Sequence, residues 1–129
     1  DAIKEYMIVI KLKPDYPEIH LSLGNVYSKQ GKSKDAVREY KIALELKAKA
    51  SKKLGDDYFN QRRFDEAVKE YMFALKLKPD YIEAHYNLGL VYLETGLKHK
   101  AEEEFKTVLQ LKPDFTPARE ALESINRER

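Results

Sequence analysis

One five-residue phrase occurs three times in this chain: Leu12-Lys13-Pro14-Asp15-Tyr16, Leu77-Lys78-Pro79-Asp80-Tyr81 and Leu111-Lys112-Pro113-Asp114-Phe115. Its prolines stand 65 and 34 residues apart. Other columns step by 31 and 34: Gly24, Gly55 and Gly89; Ala36, Ala67 and Ala101; Tyr27, Tyr58 and Tyr92; Tyr40, Tyr71 and Phe105. The period is therefore 34, with one unit shortened by three. A unit of this size cannot bury its apolar face alone, so neighbouring units must stack to make a continuous core.

Each column has a physical reading. Leu23, Val26 and Tyr27 make one apolar stripe at helical spacing, and Ala36, Val37, Tyr40, Ala43 and Leu44 make a second. Gly24 and Ala36 recur where two helices must approach closely, and the aromatics fill the space beyond. Gly31 and Gly96 punctuate the turn inside a helical hairpin, where a positive φ costs glycine little. The Lys-Pro-Asp phrase ends the second helix, because proline disfavours helix in the residue before it.

Leu23-Gly24-Asn25-Val26-Tyr27 and Leu88-Gly89-Leu90-Val91-Tyr92, followed by the alanine, aromatic and proline columns, resemble the tetratricopeptide repeat. The resemblance covers essentially the whole chain. The family's usual tryptophan of the first helix is absent, and His20, Leu54 and His85 are read in its place. The resemblance implies an all-α, right-handed superhelical solenoid of antiparallel helix pairs, with about eight helices in this chain.

The expected organisation is a second helix of an upstream repeat at 1–13, repeats at 17–47, 48–81 and 82–115, and a terminal helix at 116–127. Asp1 begins inside a repeat, which reads as a piece of a longer chain. Glu123 stands in the column of Gly24, Gly55 and Gly89, so the last helix reads as a solvating cap, with a truncated further repeat as the alternative. The junction Lys47-Ala48-Lys49-Ala50-Ser51-Lys52-Lys53 lacks the breaker. Alanine and lysine favour helix, and Ala43, Leu46, Ala50, Leu54 and Tyr58 form one stripe. Two readings stay open there: a fused long helix near 34–60, or a tight turn before a shortened first helix.

Nothing in the sequence points to catalysis. His20 and His85 occupy one column of two repeats and read as packing residues. His, Cys and carboxylates do not cluster at metal-ligand spacing, and cysteine is absent. No phosphate loop or nucleophile elbow occurs. Glu102-Glu103-Glu104 reads as a solvated face. The charge balance, 24 basic against 22 acidic residues, argues against nucleic acid as partner, and no apolar window is long enough to span a membrane. No cofactor is expected.

In the family resembled, first helices line a concave groove. Carried over by position, the groove here comprises Asn25, Lys29, Lys49, Lys52, Lys53, Asp56, Phe59, Asn60, Tyr86, Asn87, Leu90 and Glu94. Lys49, Lys52 and Lys53 read as a basic centre that favours an acidic group on the ligand, or else as a solvated helix face. The carboxylate clamp that some family members use on heat-shock chaperones is not matched, since Leu21, Lys53 and Glu83 stand where it needs other residues. The expected function is a scaffold that binds a peptide or protein segment in this groove. The alternatives are self-association into a homo-oligomer, with Ile3, Tyr6, Met7 and Ile10 exposed, or a substrate-recruiting arm of a larger enzyme.

Overall fold

The computed structural model describes residues 1–128. They form seven helices and no strand: α1 Ala2–Leu12, α2 Pro17–Lys29, α3 Ser33–Asn60, α4 Phe64–Leu77, α5 Ile82–Glu94, α6 Lys98–Leu111 and α7 Thr116–Arg127. The count is seven and not eight because residues 33–60 form one uninterrupted helix. Ala48 occupies the proline column, and the three residues that would complete a turn are missing. With every amide able to donate to the carbonyl four residues back, nothing stops α3 at the 47–53 junction.

Where the phrase is intact, the chain turns in the same way each time. The amide of Lys13 donates to Val9 O at 2.7 Å, Lys78 to Ala74 O at 2.8 Å and Lys112 to Val108 O at 2.7 Å. The lysine of each phrase lies over the ring of its aromatic, Lys78 being 4.9 Å from the Tyr81 centroid. The hairpin turns also repeat. Gly31 and Gly96 have φ of 74° and 79°, and Arg62 takes the same turn position with φ 60°.

The chain divides into two compact units, Asp1–Lys49 and Ala50–Arg129. In the first, Leu23, Ala36 and Ala43 are buried. Val37 and Leu44, expected in that stripe, are exposed. Ala36, Tyr40 and Ala43 span one narrow face, and the residue after Ala36 or Ala43 points about 100° round the helix from it. Likewise α1 packs on α2 with Ile3, Tyr6 and Ile10 half-buried and Met7, Ile8 and Leu12 exposed.

In the second unit, Ala67, Tyr71, Leu88 and Val91 form one buried cluster. Ala101, Phe105, Val108, Ala118 and Ile125 form another. The small-residue column works as the spacing implies. A Cβ on Gly89 would lie 2.6 Å from Phe105 Cε1, and one on Gly55 would lie 2.7 Å from Tyr71 Cε1. Glu123, which stands in this column on α7, is exposed.

The tryptophan column needs one correction. In the middle repeat its buried occupant is Ser51, 9% exposed, and not Leu54, which is 41% exposed. Ser51 is 31 residues after His20 and 34 before His85, in step with the glycines. His20 and His85 are bonded alike. His20 Nδ1 is 2.8 Å from Glu39 Oε1, and its Nε2 is 3.2 Å from Pro14 O. His85 Nδ1 is 2.7 Å from Glu104 Oε1, and its Nε2 is 2.8 Å from Pro79 O. Each histidine thus ties the Lys-Pro-Asp turn before it to the helix after it.

Candidate functional site

The C-terminal part of α3 and the whole of α5 carry the groove positions of the second unit. A cleft of about 290 Å³ is lined there by Asp56, Phe59, Asn60, Tyr71, Asn87 and Leu90. Phe59 is held from behind by an edge-on contact with Phe64, with ring centroids 5.9 Å apart. The 3.6-residue period places Asp56, Phe59 and Asn60 on one face of α3, and Asn87 and Leu90 on one face of α5.

Asp56 is the centre of this cleft. Its Oδ1 accepts the Tyr71 hydroxyl at 2.5 Å and the Asn87 amide at 2.8 Å. Its Oδ2 is 2.8 Å from Lys52 Nζ, one turn earlier on α3. Burial first, then the Asp56 hydrogen bond and the charges of Asp56 and Asp57, push the Tyr71 phenol far above its ordinary value. That shift favours the neutral hydroxyl, which donates to Asp56. Because Asn87 spends an amide hydrogen on Asp56, its carbonyl oxygen remains as an acceptor.

The cleft brings together five of the twelve positions read from the sequence: Asp56, Phe59, Asn60, Asn87 and Leu90. The remaining positions fall elsewhere. Lys52 is ion-paired to Asp56, so the basic centre loses its middle member. Lys53 and Glu94 are exposed in the second unit. Tyr86 is half-buried, its ring 5.7 Å from Phe105 and 5.3 Å from Phe115, and belongs to packing. In the first unit, Lys29 and Lys49 are exposed, and Asn25 Oδ1 accepts the Tyr40 hydroxyl at 2.5 Å. Tyr71 was missing from the sequence reading, because its column was assigned to packing. The signal was present: Tyr40 and Tyr71 each follow an Asn or Asp by 15 residues.

Comparison with known families settles what the repeats are. A family model described as TPR repeat matches residues 1–31 and 55–96, and models described as tetratricopeptide repeat match 19–54 and 82–115. The chain belongs to the tetratricopeptide-repeat family. Tetratricopeptide repeats serve generally as protein-interaction modules and not as catalysts. Among solved structures, this tetratricopeptide-repeat chain is similar to MamA at 30% identity, covering 98% of this chain and 75% of that one, with TM-score 0.64. It shares its fold with the first TPR of Spaghetti (RPAP3), solved bound to the HSP90 peptide SRMEEVD: 23% identity, 87% and 91% covered, TM-score 0.62. The Arabidopsis OM64 TPR domain is a further structural neighbour, with 19% identity, 88% and 96% covered, and TM-score 0.63. No curated protein matches the sequence.

Among the described residues of this tetratricopeptide-repeat chain, no group of three or more His, Cys, Asp or Glu could hold a metal ion. Nor is any helix among those residues long and apolar enough to cross a membrane.

Proposed function

We propose that this chain is an interaction scaffold that holds a peptide or protein segment in the cleft of its second unit. The observation that carries the reading is the pairing of apolar walls with anchored polar groups. Phe59 and Leu90 line an open cleft, and covering them removes apolar surface from water, at about 25 cal/mol per Å². Beside them, Asn87 and Asn60 offer amide donors and acceptors suited to a peptide backbone. Asn87 is already oriented by Asp56, so ordering it costs little on binding. An extended or helical segment laid along helix faces of this kind is a recurring recognition mode.

The test is a screen of the purified chain against a peptide library, with a Phe59→Ala variant in parallel. Binding of a common motif that the variant loses supports the cleft as the site. Equal binding by both proteins, or none by either, removes the cleft and moves the function to another surface.

A further inference from the structure

Resting on the reading that the cleft holds a polypeptide, the geometry points to the charge of that ligand. A carboxylate offers about four lone-pair positions. At Asp56, Tyr71 and Asn87 occupy both on Oδ1, and Lys52 takes one on Oδ2. The position left is on Oδ2, on a side chain that is 31% exposed. It accepts; it cannot donate. A second carboxylate, Asp57, lies close enough to act on the Tyr71 hydroxyl, and Lys52, the cation beside Asp56, is already paired.

We propose that the cleft selects a segment that places an apolar side chain against Phe59 and Leu90 and an arginine or lysine at Asp56 Oδ2, and that it discriminates against ligand carboxylates. This reverses the ligand charge expected from the lysine run. The aliphatic stem of an arginine suits the apolar walls, and its guanidinium supplies the donor that Oδ2 can still accept. A ligand carboxylate would meet an acceptor with no proton to give, while the ammonium it needs stays on Asp56.

The first unit shows how to test this without unfolding the protein. Asn25 occupies the Asp56 position there and still accepts its tyrosine, Tyr40, at 2.5 Å. Asp56→Asn therefore removes the charge and keeps a bond the fold already makes. The probes are degenerate decapeptide pools with one central apolar position, followed by Arg, Gln or Glu, titrated by fluorescence polarisation at low salt. The wild-type chain binds in the order Arg, Gln, Glu, with about tenfold or more between the extremes, the size of a charge-assisted hydrogen bond. Asp56→Asn brings the three pools within about twofold, scaled to the loss of that one charge. Lys52→Met, which frees Oδ2 from its internal partner, tightens the Arg pool more than the Gln pool, whose carboxamide donates without a charge.

Binding lost on Phe59→Ala, but with Glu equal to or above Arg, overturns the charge assignment and keeps the cleft. The assignment also falls if Asp56→Asn folds and leaves the Arg preference intact. Failure of every pool, or binding indifferent to Phe59→Ala, overturns the cleft itself.

Discussion

His85 Nδ1 lies 2.7 Å from Glu104 Oε1, joining α5 to α6 across a half-buried contact. With Nε2 also facing a carbonyl, both ring nitrogens meet acceptors, an arrangement that suits the imidazolium. Burial works against that charge. The Glu104 hydrogen bond, the Pro79 carbonyl and the Glu104 charge together outweigh it, and the pKa is raised above its ordinary 6.5. The folded state therefore binds this proton more tightly than the unfolded chain does. The resulting stability is fully present below pH 6.5 and is lost as pH rises through the raised value. Thermal unfolding from pH 5.5 to 8.5 should show the wild type losing its advantage over His85→Gln as pH rises. A constant difference contradicts the assignment.

Arg62 sits at φ 60° in a turn whose counterparts are Gly31 and Gly96. A side chain at positive φ costs about 1 kcal/mol that glycine does not incur. Its guanidinium, 5.2 Å from the Phe64 centroid, recovers part of this. Arg62→Gly should leave the protein as stable or raise its stability by up to about 1 kcal/mol by urea unfolding. A clear loss would mean that the cation–π contact outweighs the backbone strain.

Gly89 faces Phe105 so closely that an added Cβ would lie 2.6 Å from the ring. Phe105 is fully buried and cannot swing away. Gly89→Ala should destabilise by about 1–3 kcal/mol through overpacking. Phe105→Leu in the same background should recover part of that loss, and a double-mutant cycle measures the coupling.

Ala48 lies inside α3, where the other junctions have proline, and it is fully buried. Restoring the column by Ala48→Pro removes an amide donor and sets the ring against the Leu44 carbonyl. Interior proline costs about 3 kcal/mol or more. Denaturant unfolding should show that loss, together with reduced helical circular dichroism. A neutral outcome would show that the junction already accommodates a break.

The outline of the fold was readable because its instructions are local and repeated. A proline stops a helix wherever it stands, a glycine admits an aromatic, and three copies of each column cross-check one another. At 47–53 the missing breaker left two readings open, and the fused helix, Ser33–Asn60, is the one the structure has, which makes seven helices where about eight were expected. Phe59 and Leu90 were among the groove positions that the family resemblance implies, and both line the cleft of the second unit. The polar chemistry beside them was not legible. Lys52 and Asp56 stand four apart on one helix, but Tyr71 and Asn87 come from other helices.

Sequence alone therefore determined the repeat, its period and the turns of the intact junctions. Those follow from backbone constraints and apolar periodicity, which act over a few residues. Tertiary structure alone decided that Tyr71 and Asn87 converge on one carboxylate. Tyr71 and Asn87 lie 15 and 31 residues from Asp56 and reach it only when α4 and α5 pack against α3. That convergence depends on contacts between helices that no short stretch of sequence encodes.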